Sequence, residues 1–140
     1  MNITKIEYIE GSRKTRTMVE YSHTDEETGA VMRRLFETNE EPSPDFVKAV
    51  NDIASTAAWA SEVEPQGLTV RKIRFRNGAV SVEYLRESAR SEKPMKLKSP
   101  EIPEDSFPQT EMKRILTLKK RAESFVIGQE LAQQELFNNG

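Results

Sequence analysis

The dipeptide Asn77-Gly78 constrains the fold of this chain more than any other feature. It stands between two alternating segments, "LTVRKIRFR" and "AVSVEYLR", and Asn-Gly is the preferred pair for a two-residue type I′ hairpin turn. Such a turn fixes the register of the two strands and divides their side chains between two faces. One face is apolar and carries Ile73, Phe75, Val80, Val82 and Tyr84. The other face is polar and carries Lys72, Arg74, Arg76, Ser81 and Glu83. We expect the apolar set to pack against a helix and the polar set to face water.

Three further strands are predicted upstream of this hairpin. Residues 3–9 and 15–21 alternate in hydrophobicity, carry β-branched or aromatic side chains, and are separated by the short polar segment "GSRK". This pattern is typical of a hairpin. The polar turn "HTDEETG" then leads into residues 31–38, which gives an antiparallel meander of three strands.

The sequence "SPDF" at residues 43–46 predicts the start of a helix. Ser43 can cap the N-terminus, Pro44 suits the first helical position, and Asp45 favours the positive end of the helix dipole. Apolar residues then recur at helical spacing and form one face: Phe46, Val50, Ile53, Ala54 and Ala57. The segment "PQG" at residues 65–67 is expected to end the helix.

Four prolines, at positions 94, 100, 103 and 108, exclude a helix from residues 89–108 and predict an extended connection. Any strand near residues 95–98 should be short and lie at a sheet edge. A second helix is predicted from about residue 109 to about residue 132, with Gly128 weakening its last part. Its apolar face is predicted to hold Met112, Ile115, Leu116, Ala122, Phe125 and Val126.

The predicted fold is therefore α+β. An antiparallel sheet of about five strands, in the chain order β-β-β-α-β-β, carries one packed helix and is followed by a long C-terminal helix. The chain divides into an α+β domain at residues 1–88, a proline-rich connection at 89–108, a helix at 109–132 and a tail at 133–140.

Little in the composition favours catalysis. The absence of cysteine excludes disulfides, thiolate zinc sites and cysteine nucleophiles. The only histidine, His23, lies in the acidic turn "HTDEE", whose adjacent side chains cannot readily converge on one metal ion. There is no glycine-rich phosphate loop and no nucleophile elbow. We predict a protein that is not an enzyme and needs no cofactor or metal. With no long apolar run and no signal-peptide pattern, a cytoplasmic location is expected.

Basic residues on one predicted sheet face suggest a nucleic-acid interface. The net charge of −2 gives no general attraction to nucleic acid, but Lys72, Arg74 and Arg76 share one face of a predicted strand. Arg71, beside them, is expected to point to the apolar side. Further basic residues lie in the predicted meander: Arg13, Lys14, Arg16, Arg33 and Arg34. With Tyr8 or Tyr21 for stacking, this face would suit a single strand. Interleaved acidic residues favour an ordinary solvated face instead.

The segment "QQELF" at residues 133–137 resembles the pentapeptide by which bacterial replication and repair proteins bind the β sliding clamp. That pattern is glutamine, usually leucine, a small acidic residue or serine, leucine and phenylalanine. Gln133, Leu136 and Phe137 match it, Glu135 stands where aspartate is common, and Gln134 departs from leucine. The resemblance implies that Leu136 and Phe137 fill an apolar pocket while Gln133 hydrogen-bonds in a neighbouring cleft.

A broader resemblance covers most of the chain. The order of "PSPDFVKAV", "LTVRKIRF" and a terminal helix ending in "LF" is similar to small phage and prophage proteins of uncharacterised function. It implies an accessory protein that binds the clamp or another replication protein. Two alternatives remain at this point. The tail can pack on its own domain in one stripe with Phe125, or the second helix can form a homodimer seam in a structural protein.

Overall fold

The computed structural model describes residues 1–11 and 14–139, and its side-chain description leaves out residue 131 and residues 133–139. Seven strands and two helices occur in the described chain. They are β1 (Asn2–Glu10), β2 (Thr15–Thr24), β3 (Val31–Thr38), α1 (Pro44–Ser61), β4 (Leu68–Arg76), β5 (Ala79–Arg86), β6 (Met95–Lys98), β7 (Ile102–Pro103) and α2 (Gln109–Asn139). A short 3₁₀ turn, Glu104–Ser106, precedes α2.

The strands form one antiparallel sheet in the order β3-β2-β1-β4-β5-β6, and β7 also pairs with β5. The α+β class is confirmed, but the predicted count of about five strands is too low. The two additional strands come from the connection at residues 89–108, where β6 lies between Pro94 and Pro100. Because both prolines fall outside the strand, they remove no ladder hydrogen bond from it. Ser99, which follows β6, is also bound to β5, since its Oγ accepts a hydrogen bond from the Val82 N–H at 2.9 Å.

The β4–β5 hairpin has the predicted register. Phe75 pairs with Val80 and Ile73 pairs with Val82. Asn77 and Gly78 have φ angles of 52° and 72°, and positive φ at both central residues is what a type I′ turn requires. All five members of the predicted apolar face are buried.

Two side chains of this hairpin differ from the prediction. A β-bulge between Val70 and Lys72 inserts Arg71 as an extra residue, so Val70 rather than Arg71 is buried on the apolar side. Ser81 was expected to face water, but it is buried. It lies where β5 passes from pairing with β7 to pairing with β6.

Helix α1 begins as predicted. The Phe46 N–H donates to Ser43 Oγ at 3.3 Å, and Pro44 occupies the first turn. The helix ends at Ser61, where Glu62 adopts a left-handed conformation with φ of 57°, four residues before the predicted stop signal at 65–67 begins.

Helix α2 is longer than predicted and packs against α1 and the sheet. Its buried residues include Ile115, Leu118, Ala122 and Val126. Leu116, predicted on the buried face, is 48% exposed, whereas Leu118 is fully buried. Neighbouring helical residues lie about 100° apart around the axis, so the stripe that contains Ile115 excludes Leu116. Gly128 does not interrupt the helix.

Both helices cover the same face of the sheet, here called the inner face. Phe46 of α1 joins the layers, because its ring lies 6.3 Å from that of Tyr8 on β1 and 5.4 Å from that of Phe125 on α2. Phe125 also meets Phe36 on β3 at 5.7 Å. The opposite face of the sheet, called the outer face, has no helix over it in the described part of the chain.

Candidate functional site

The outer face collects charged side chains from six strands. The pairing registers place its basic members at Lys5, Arg16, Arg33, Lys72, Arg74, Arg76, Lys96 and Lys98. Its acidic members are Glu7, Glu20, Glu37 and Glu83. Although the whole chain has a net charge of −2, the described outer face is therefore positive.

Each of the four acidic residues of this face forms an ion pair with a basic residue of the same face. Lys72 Nζ lies 3.5 Å from Glu7 Oε2 and 3.3 Å from Glu83 Oε2, so it bridges β1 and β5 from its place on β4. Arg16 Nε donates to Glu37 Oε1 at 2.7 Å, and Lys5 Nζ lies 3.7 Å from Glu20. The surplus positive charge is thus carried by residues for which the described chain shows no ion pair: Arg33, Arg74, Arg76, Lys96 and Lys98.

The structure brings Lys72, Arg74 and Arg76 together on the outer face, as the strand alternation predicts, and Arg74 and Arg76 are exposed. The tyrosines expected to stack on a nucleic-acid strand are not there. Tyr8 and Tyr21 are buried on the inner face, because they share the alternation of Ile6 and Val19. Arg13 lies outside the described residues. A basic surface without these aromatic partners would contact phosphate rather than bases.

A shallow groove of about 570 Å³ crosses the outer face where β4, β5 and β6 meet. Its basic residues are Arg71, Lys72, Lys96 and Lys98, and its acidic residues are Glu7 and Glu83. Ile9, Leu85 and Leu97 contribute apolar surface. The bulge at Arg71 matters here, because it places that guanidinium at the groove rather than in the core. The groove was not predicted from the sequence, since residues 95–98 were assigned to an extended connection in which a short edge strand was only an option.

A polar cluster lies between the two helices. Glu111 of α2 is 7% exposed. Its Oε2 accepts from Thr56 Oγ1 at 2.6 Å, and its Oε1 accepts from Ser55 Oγ at 2.9 Å and from Arg114 Nη1 at 2.7 Å. Arg114 also donates to Ser55 Oγ at 3.0 Å. Both carboxylate oxygens are satisfied and enclosed, so the cluster fixes α2 on α1. The sequence carried one signal for it, namely Thr56 within an apolar helix face.

A second polar contact holds the far part of α2 to the sheet. Tyr21 Oη donates to Glu130 Oε1 at 2.5 Å. Burial raises the pKa of Tyr21 above its usual 10.0, and the hydrogen bond to Glu130 and the charge of that carboxylate raise it further, whereas Arg34 lowers it. Among residues with described side chains, Glu130 is the last on α2 with a hydrogen bond to the sheet.

The segment that resembles the clamp pentapeptide continues α2. Its backbone is helical to Asn139, where the sequence analysis predicts a separate tail from residue 133. Helical spacing of i, i+3 and i+4 puts Gln133, Leu136 and Phe137 on one side of the helix. The side chains of these three residues and of Glu135 lie outside the described residues.

His23, predicted in the acidic turn, lies instead near the end of β2, where it pairs with Met32 of β3. The turn that follows is organised by its own hydrogen bonds. Asp25 Oδ1 accepts from the N–H groups of Glu27 at 2.8 Å and Thr28 at 3.3 Å. Within residues 1–11 and 14–139, no three potential acidic, cysteine or histidine ligands cluster as a metal site would require. None of the described helices has a segment both long and apolar enough for a bilayer.

Comparison with known proteins gives no relative from which to assign a function. The chain matches no family model, no curated protein and no solved structure.

Proposed function

We propose that this chain is a non-enzymatic, phage-type accessory protein that binds the bacterial β sliding clamp, or another replication protein, through residues 133–137. The observation that carries this proposal is the match of Gln133, Leu136 and Phe137 to the clamp-binding pentapeptide. The effect of binding is either recruitment to the replication machinery or modulation of it.

The attachment of α2 to α1 and to the sheet supports this proposal. Glu111 binds Thr56 of α1 from the first turn of the helix, and Tyr21 on the sheet binds Glu130. Four residues of α2 are buried between these two contacts: Ile115, Leu118, Ala122 and Val126. From Glu130 to Asn139 the helical backbone advances by about 13 Å at 1.5 Å per residue. The segment therefore follows a firmly anchored helix, which is a suitable way to present a short recognition element.

Two large apolar side chains supply a substantial part of the binding energy of such a motif. Burying a leucine or phenylalanine contributes about 1.5–3 kcal/mol before ordering costs. We expect a peptide of residues 132–140 to bind a β clamp in the micromolar range, which corresponds to about −8 kcal/mol. The two apolar side chains supply only part of this, so Gln133 and backbone contacts must supply the rest.

The decisive experiment measures clamp binding and stability on the same set of variants. Replacing Leu136 and Phe137 together by alanine should abolish binding by the peptide and by the full chain, with an almost unchanged melting temperature. Gln134→Leu restores the residue usual in the pentapeptide and should tighten binding. The double variant Asn138→Ala/Asn139→Ala, next to the motif, should bind like the wild type.

Packing of the tail on its own domain gives the opposite result. If Leu136 and Phe137 belong to the core, their removal should cost about 2–5 kcal/mol for each fully buried side chain. A large fall in melting temperature without any clamp binding by the wild-type peptide would refute the proposal.

A second candidate function is binding of single-stranded nucleic acid by the outer face. The observation that favours it is the pair Arg74 and Arg76, exposed and without an ion pair in the described chain, beside the groove that holds Lys96 and Lys98. Phosphate contacts of this kind make affinity strongly salt-dependent.

Fluorescence anisotropy with a labelled oligothymidine tests this second candidate. Binding should weaken steeply as salt rises, and Arg74→Ser/Arg76→Ser should weaken it again and flatten the salt dependence. A triple variant that adds Lys72→Ser to this pair should bind more weakly still, although the added substitution also breaks the ion pairs to Glu7 and Glu83. The control Lys113→Ser/Lys120→Ser removes two exposed charges from α2. No binding by the wild type at physiological salt eliminates this candidate.

A further inference from the structure

Strand β3 is an open edge of the sheet with unusual exposure. It runs for eight residues, Val31–Thr38, and among the described strands it pairs only with β2. Val31 is 67% exposed and Leu35 is 54% exposed. The strand contains no proline or lysine, two residues that commonly protect an edge from further pairing. Its outer backbone groups can therefore accept another strand.

We propose that β3 pairs antiparallel with β3 of a second copy of this chain, with the two-fold axis at Leu35. An isologous pair of this kind is the simplest closed interface, because each copy offers the same surface. The proposal concerns assembly and does not depend on the clamp or nucleic-acid proposals.

Charge complementarity selects this register. With the axis at Leu35, Leu35 faces its own copy, and Arg33 lies opposite Glu37 of the second copy. By symmetry, Glu37 lies opposite Arg33 of that copy, so the interface has two attractive pairs on the outer face. Opposite charges across an antiparallel pair stabilise it, and like charges destabilise it.

The register with its axis at Arg34 is unfavourable. Residues opposite each other in an antiparallel pair lie on the same face, so the axis can shift only by a whole residue. With the axis at Arg34, that arginine would face Arg34 of the second copy, and Arg33 would lie opposite Leu35. Both attractive pairs would be lost and a repulsive one gained.

The arrangement around Glu37 is compatible with a second cation. Its Oε1 accepts from Arg16 Nε at 2.7 Å, while Oε2 has no hydrogen-bond partner among the described residues. On the inner face, the proposed register puts Arg34 opposite Phe36 of the second copy. A guanidinium beside an aromatic ring is a favourable contact. The two sheets would then join into one, with their positive outer faces continuous.

A charge-exchange experiment tests both the interface and its register. Sedimentation equilibrium of the full chain should show a dimer at high-micromolar concentration. Arg33→Glu alone and Glu37→Lys alone should each raise the dimer dissociation constant by about tenfold or more, since both symmetric pairs become repulsive. An equimolar mixture of the two variants should restore a dimer, because the heterodimer has two opposite-charge pairs. The control Arg76→Glu changes a charge on β4 and should have no effect.

A cross-link gives a second measurement that does not depend on the stability of the charge variants. The chain has no cysteine, so Leu35→Cys introduces a single thiol that faces its own copy at the axis. Mild oxidation should convert this variant to a covalent dimer. Val31→Cys is the matched control, because its two copies would lie about 26 Å apart at ~3.3 Å per residue. A monomeric wild type, a mixture that stays monomeric, or equal cross-linking of both cysteine variants would overturn the proposal.

Discussion

The inner and outer faces of the sheet are made from the same strands but differ in almost every property. On the inner face, Ile6, Ile73 and Val82 are buried beneath two helices. On the outer face, the alternate positions carry charged residues such as Lys72 and Arg74, with no helix above them in the described chain. The difference separates stability from recognition: burial on one face holds the fold together and leaves the other face available for contacts.

Two β-bulges maintain this separation along the strands. One lies between Ile3 and Lys5 on β1, and the other lies between Val70 and Lys72 on β4. Strict alternation would turn either Ile3 or Ile6 outward, and likewise either Val70 or Ile73. Each bulge adds one residue, so both apolar residues of each strand face the core.

The largest expected effect comes from the inner face. Ile73→Ala should lower the free energy of unfolding by about 2–5 kcal/mol, because it removes a fully buried side chain from between the sheet and α1. The adjacent outer-face variant Arg74→Ala should change it by no more than about 0.5 kcal/mol. Urea unfolding of both variants makes the measurement. Similar losses for the two would contradict the division between faces.

The polar cluster above the inner face should have the next largest effect. Glu111→Ala should cost about 1–3 kcal/mol, since it leaves the enclosed hydroxyl of Thr56 without its acceptor. Glu111→Gln, which keeps the shape and one acceptor, should cost less. Lys113→Ala, an exposed change in the same turn, serves as the control in thermal unfolding. A neutral Glu111→Ala would show that apolar packing alone holds α2 on α1.

A smaller effect is expected at Tyr21, where the inner face meets the far part of α2. Tyr21→Phe should cost about 1–2 kcal/mol through the lost hydrogen bond to Glu130. The raised pKa of Tyr21 also implies a pH dependence. The stabilisation should be fully present below the usual pKa of 10.0 and should be lost as pH rises through the higher value of the folded state.

Chemical unfolding of wild type and Tyr21→Phe between neutral pH and pH 11 measures this contribution. The two stability curves should converge as Tyr21 ionises in the wild type. Tyr8 also has a raised pKa, caused first by burial and then by Glu10 and Glu41, so some alkaline destabilisation should remain in the variant. A constant difference between the curves would contradict the assignment.

The smallest effect should come from the outer face itself. Lys72→Met breaks ion pairs with Glu7 and Glu83, but all three side chains are partly exposed. The expected loss is therefore below about 1 kcal/mol, and high salt should reduce it further. A loss comparable to that of Ile73→Ala would mean that the outer face also determines stability.

Local features of the fold were predictable because they depend on the preferences of a few adjacent residues. Asn77-Gly78 determined a hairpin register, and Ser43-Pro44 determined a helix start. Strand β6 was predicted only conditionally, as a short edge strand near residues 95–98, and β7 was not predicted, because the pairing of both is decided by β5 rather than by the proline-rich connection in which they lie. The burial of Leu118 instead of Leu116 likewise depends on how α2 lies against its neighbours.

The candidate site was predictable only in part. Strand alternation was enough to place Lys72, Arg74 and Arg76 on one face. It was also enough to show that Tyr21 lies with Val19 on the inner face, although the sequence analysis considered that tyrosine for stacking. The Glu111 cluster joins residues more than fifty positions apart, and no local pattern identifies such a partner. The clamp-like segment remains a prediction from sequence.

The narrow junction between β1 and β4 has a consequence for how the chain folds. Only three pairs form this ladder, Lys5 with Arg74, Ile6 with Ile73 and Glu7 with Lys72, whereas β1 and β2 pair along most of their length. The β1–β2–β3 meander and the β4–β5 hairpin can each form from contacts close in sequence. The junction between them must close a long loop that contains β2, β3 and α1. Because loop closure is entropically costly before its contacts form, we expect docking of the two halves at this junction to limit the folding rate.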